Sequence, residues 1–94
     1  MQLLNLFVED LIKVSKDQFG EGDRTASLVK KIKQELAEVE AEPHDLEEWI
    51  DVIILAIDGY WRHGGNADGL MDRLYEKLIA IRYRTYQEKE DLNG

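Results

Sequence analysis

Four stretches of the chain repeat apolar residues at the three- and four-residue spacing of one helix face. In residues 2 to about 18, Leu4, Phe7, Val8, Leu11, Ile12 and Val14 fall on one side, with Glu9, Asp10, Lys13, Lys16 and Asp17 opposite. This predicts a first amphipathic helix. Residues 19–25 hold two glycines and a polar remainder and read as a loop, with Asp23 or Thr25 able to cap the next element. A second helix is expected from about 26 to 41, on a stripe of Leu28, Val29, Ile32, Leu36 and Val39. Pro43 stops it, and Asp45 suits the N-cap of a third helix, about 46 to 63. There Trp49, Ile50, Ile53, Ile54, Ile57 and Trp61 surround the axis, which predicts a buried helix. Its β-branched residues also suit a strand over 50–57, but length and helical flanks favour a helix. Asn66 or Asp68 starts a fourth helix, carried by Leu70, Met71, Leu74, Leu78, Ile81 and Tyr83 to about residue 87. Residues 88–94 are expected to fray.

The short connections make consecutive helices antiparallel neighbours. The expected fold is therefore all-α: one domain, residues 1–94, built as a small antiparallel bundle of about four helices. A domain of this size buries only roughly 60 to 65% of its unfolded surface. The third helix is too apolar for a lone four-helix monomer, so part of it is expected to pack on another subunit, giving a homodimer or a homotetramer built as a dimer of dimers.

Charge narrows the choice of partner. Twenty acidic residues against twelve basic give a formal net charge of -8, which argues against broad binding to a nucleic-acid backbone. With no cysteine, neither a disulfide nor a thiolate metal site is available. The opening run MQLLNLFV lacks a basic lead and meets Glu9 and Asp10 at once, unlike a secretory signal or membrane span. A cytoplasmic protein is expected.

The acids themselves carry the chemistry. Glu35 and Glu38 stand three residues apart on the second helix, and Glu48 and Asp51 three apart on the third. Each pair shares a face, so antiparallel packing would bring four carboxylates together. Such a cluster repels itself unless a cation sits in it, and oxygen-only ligands suit Mg2+ or Mn2+. Alone, Glu48 has a structural explanation, since it lies three residues after Asp45 as in a capping box. Asp51 cannot be explained as a cap, and both it and Asp58 interrupt the apolar helix, where an unpaired charge is costly and calls for a metal or an arginine.

The spacing Glu35-x-x-Glu38 followed by Glu48-x-x-Asp51 resembles the metal signature of the MazG-like all-α nucleoside triphosphate pyrophosphohydrolases. FGEGDRT, QELAEVEAEPHDLEEWIDVIILAIDGYWRHG and Lys77 extend the likeness over about residues 15 to 86. This longer pattern is similar to the dATP/dGTP diphosphohydrolase branch, which includes the MazZ-type enzymes of phages. The resemblance implies a metal-dependent cut between the α and β phosphates, releasing a deoxynucleoside monophosphate and pyrophosphate. By position, Glu35, Glu38, Glu48 and Asp51 would hold Mg2+ or Mn2+, and Glu38, with Glu35 beside it, would orient the attacking water. Two departures stand out: Gln34 replaces an additional glutamate found in many MazG-like proteins, and Ala80 and Ile81 replace a lysine and an asparagine often found after the Lys77 position.

The cationic partners of a triphosphate are read more openly. Lys77 and Arg84 lie seven apart on one face of the fourth helix and are candidates for the β and γ phosphates, although cations there are commonly solvated. Arg24 and Arg62 are further candidates, Lys31 can pair with Glu35, and Asp58 can anchor an arginine or contact the base or sugar. Phe19, Trp49 and Trp61 offer stacking surfaces that helical spacing equally explains as core. Two other readings stay open: a house-cleaning pyrophosphohydrolase for another nucleotide, and a non-enzymatic acidic helical module that docks a partner protein.

Overall fold

Each apolar stripe forms the helix it predicts. The computed structural model describes residues 2–93, and the side-chain surroundings of residues 3–84. In order, the elements are α1 (Gln2–Phe19), α2 (Thr25–Ala41), α3 (Leu46–Arg62) and α4 (Ala67–Asn93). No strand occurs among the described residues, so the β-branched run of α3 is helical. The fourth helix continues to Asn93 instead of fraying from residue 88, because Gln87, Glu88, Lys89 and Glu90 are good helix formers and no proline or glycine intervenes. Gly94 lies outside the described residues.

Helix ends follow local hydrogen-bond chemistry. Asp45 caps α3 by accepting from the Glu47 N–H at 3.1 Å, and Asn66 caps α4 by accepting from the Gly69 N–H at 2.7 Å. At α2 the N-cap position is Arg24, with no side-chain cap, and Asp23 accepts from the Thr25 N–H at 2.8 Å instead. Gly20, Gly22 and Gly64 take positive φ, at 74°, 112° and 101°, where an L side chain would be strained.

α2 lies along α3, and α1 packs against both α3 and α4. Val8, Ala67 and Leu70 form the centre of the α1–α4 core, with Leu4, Ile12, Ile57 and Tyr60 packed around them. Leu28 and Val39 are the buried residues of the α2 stripe.

The third helix departs from expectation. Asp58 is its one buried residue, while Trp49, Ile50 and Ile53 are about half exposed. A single copy of the chain supplies neighbours on only part of the circumference of α3, which leaves those apolar side chains uncovered. No helix among the described residues is long and apolar enough to cross a membrane.

Candidate active site

The turn between α2 and α3 aims one carboxylate at two others. A capping box would have Glu48 reach back to the Asp45 N–H, but that N–H already donates to the Glu42 carbonyl at 3.1 Å. The Glu48 side chain is left to face α2, where Glu35 and Glu38 sit one turn apart. Carboxylate oxygens of Glu35, Glu38 and Glu48 all lie within 4.8 Å of one another. Asp51, one turn beyond Glu48, lines the adjoining hollow with Glu35, and its charge adds to the repulsion that Glu35 feels. Three of the four expected acids thus meet at one point, and the fourth stands beside them.

Electrostatics makes this cluster costly without a cation. With all three carboxyls ionised, the buried Oε2 atoms of Glu35 and Glu48 have no donor. The metal-free chain answers by holding protons: hydrogen bonding to Glu38, then burial, then the charges of Glu38, Asp45 and Glu35 push Glu48 up to about 7. Glu35 is raised for the same first two reasons, a hydrogen bond to Glu38 and burial, followed by the charges of Glu38 and Asp51. Orphaned buried oxygens converging from two helices are the donor set a hard divalent cation takes, and Mg2+ or Mn2+ fits it.

From the acids a groove runs toward α1. Its first part is lined by Lys31, Gln34, Glu35, Asp51, Ile54 and Leu55. Lys31, Ile54 and Leu55 also line a more enclosed pocket, which adds Phe19, Arg24, Leu28 and Asp58. Helical side chains lean toward the N-terminus, and Lys31 accordingly leans away from Glu35. The expected Lys31–Glu35 pair does not form; the Lys31 ammonium lies 4.7 Å from the centre of the Phe19 ring.

Arg24 and Arg62 divide by role. The Arg62 side chain is wholly buried, and its five N–H groups are consumed by Asp58, Ser15 and the Gly20 and Gly22 carbonyls. It anchors the glycine loop to α3, and within the chain its donors are already taken. Arg24 does face the pocket. It stacks 3.7 Å from the centre of Phe19 and pairs with Asp58 at 3.6 Å. Asp58 therefore serves as the arginine anchor: its Oδ1 also accepts from Ser15 Oγ at 2.7 Å and Trp61 Nε1 at 2.6 Å. Trp49 donates to the Pro43 carbonyl at 3.0 Å. Both indoles are thus tied into the fold, and the Phe19 ring carries two cations.

Lys77 and Arg84 lie apart from the groove within one chain. Both are exposed on α4, and α4 packs on α1 rather than along the α2–α3 pair. Lys77 instead lines a surface hollow with Tyr60, Leu70 and Arg73. One residue of the anchor was missed in the sequence, Ser15. It falls on the α1 stripe after Val8 and Leu11, and a polar residue on an apolar stripe was the available signal.

A family model described as dATP/dGTP pyrophosphohydrolase matches residues 7–93, which includes every residue of the groove. Neither a curated protein nor a solved structure gives a match. With nearly the whole chain matched and the acid spacing in place, the chain belongs to the dATP/dGTP pyrophosphohydrolase family and is a nucleoside triphosphate diphosphatase.

Proposed function

We propose that the chain hydrolyses dATP or dGTP between the α and β phosphates, giving the deoxynucleoside monophosphate and pyrophosphate, at a divalent-metal site formed by Glu35, Glu38, Glu48 and Asp51. The observation that carries this reading is the convergence of three carboxylates from two helices at the head of a groove. When bound, Mg2+ or Mn2+ supplies positive charge that polarises phosphate oxygens and acidifies a water.

The chain's own residues divide the remaining work. Glu38, the solvent-exposed acid of the three, is assigned as the base. Its carboxylate orients a water for in-line attack on the α phosphorus and takes the water's proton. A new P–O bond forms as the bond to the bridging oxygen breaks, and pyrophosphate departs with that oxygen. Lys31 stands between the acids and the enclosed pocket, where its ammonium can meet a phosphate oxygen, while the apolar walls exclude water from the nucleoside. Lys77 and Arg84 contribute to the phosphates only if a second copy brings its α4 to this groove. The uncovered apolar face of α3 supports assembly as a homodimer or homotetramer.

Titration of Mn2+ into the protein tests the site before any turnover is measured. Glu48→Gln should weaken binding by tenfold or more on the order of the loss of one charged ligand, with helix content unchanged. Equal affinity in the two proteins would remove Glu48 from the site.

A further inference from the structure

Outside the groove, four groups tie the loop between α1 and α2 to the end of α3 in one unbroken chain. His63, the C-cap residue of α3, sets its Nδ1 against the Gly59 carbonyl at 2.9 Å and its Nε2 against the Thr25 hydroxyl at 2.8 Å. The Thr25 hydroxyl donates in turn to Asp23 Oδ1. Three such contacts need three protons between them. The two ends, a carbonyl and a carboxylate, only accept; the hydroxyl bond and then the N–H bond from Thr25 hold the Asp23 carboxyl below its ordinary range. The hydroxyl brings one proton and a neutral imidazole one, which leaves one contact with lone pairs facing each other. Only the imidazolium brings the third proton. Asp23, 3.8 Å from Nε2, is the charge that faces the ring from the loop, while Thr25 faces it from α2 and the Gly59 carbonyl from α3. The nearby charged groups turn elsewhere: Glu21 to Lys16, Arg62 to Asp58 and the Gly20 and Gly22 carbonyls, and Arg24 to Phe19 and Asp58.

We propose that His63 is a proton-operated latch: doubly protonated, it pins residues 23–25 to the end of α3, and when a proton leaves to solvent the pin slackens. Arg24 lies between the two pinned residues and faces the enclosed pocket, so the latch sets how firmly that wall of the pocket is held. His63 is a positioning residue, acting through Thr25 and Asp23 rather than on the substrate. Histidine is the side chain whose ordinary titration falls within the physiological range, so the latch responds to pH changes a cell experiences. The latch itself goes beyond the hydrolase reading and does not depend on it; its effect on nucleotide binding does.

Amide hydrogen exchange of residues 20–28, corrected for intrinsic rates, reads the latch with no nucleotide present. The carboxylate of Glu48 also titrates up to about 7 in the metal-free chain, so His63→Gln, which keeps the acid cluster, supplies the baseline. The His63 side chain is half-exposed, and its replacement empties no core position. Relative to that variant, the wild type should be protected about threefold or more at about pH 5.5 and little at about pH 8. The same pH response in both proteins would overturn the proposal. A protection lost equally at both pH values would make His63 a fixed strut and overturn it as well. Thr25→Val removes the middle link and should abolish the response; a response that survives would run through the direct His63–Asp23 pair and contradict the three-proton chain. In turnover of dATP or dGTP, the KM of His63→Gln relative to wild type should rise as pH falls, with the kcat ratio flat. A KM ratio independent of pH would overturn the link between latch and pocket. Absence of turnover in the wild type would overturn the hydrolase reading and leave the exchange result to decide the latch.

Discussion

Glu48 on α3 and Glu38 on α2 face each other across the helix pair, close enough that Glu48 holds a proton up to about pH 7 in the metal-free chain. A carboxyl raised in the folded state gives stability that is full below its ordinary value of 4.5 and lost as pH rises to about 7. Metal-free protein should therefore lose stability across that window relative to Glu48→Gln, which carries no titrating group there. Melting curves in chelator at several pH values check this; parallel curves for the two proteins would contradict it. Added Mg2+ should restore the wild type at the upper end, since a ligand that binds only the folded state stabilises it by mass action.

Glu38→Gln and Asp51→Asn are expected to abolish turnover of dATP and dGTP while leaving the far-ultraviolet dichroism of a helical bundle. Both residues are exposed, so neither change empties a core position. Wild-type rates in either variant would refute the assignment of these acids.

Asp58→Ala should destabilise the fold by about 3 to 5 kcal/mol, because it leaves the buried Arg62 guanidinium without its carboxylate. Urea unfolding measures the loss. Arg24→Gln should cost clearly less, as Arg24 contributes only the longer of the two ion pairs. Equal losses would mean that the Asp58 network is not centred on Arg62.

The uncovered face of α3 gives a prediction about assembly. Trp49, Ile50 and Ile53 are each about half exposed, far more apolar surface than one helix of a small monomer ordinarily shows. Sedimentation should give a mass at least twice the 10.9 kDa of one chain, and Ile53→Glu should shift it toward the monomer. A wild-type monomer at micromolar concentration would contradict the assembly.

The helices and the acid pairs were legible in the sequence because both depend on local spacing. The periodicity of Leu28, Ile32, Leu36 and Val39 defines α2 without reference to any partner, and Glu35 and Glu38 follow on the same helix. The roles of the cations were less legible, because they depend on which helices become neighbours. Arg62 was one of several candidate substrate contacts, and the fold lays the Gly20–Gly22 backbone over it and uses every donor. Lys77 was open between a phosphate contact and a solvated cation, and α4 packs on α1, away from the groove of its own chain. The spacing let Lys31 pair with Glu35, and the lean of helical side chains takes it to Phe19 instead. Spacing says which residues share a face; it does not say what that face meets.

The most direct test of the carboxylate site is product analysis after incubation with each common deoxynucleoside triphosphate, with Mg2+ or Mn2+ and with chelator. The expected result is deoxynucleoside monophosphate and pyrophosphate from dGTP or dATP, formed only when the metal is present. Diphosphate and inorganic phosphate, or undiminished turnover in chelator, would contradict the account.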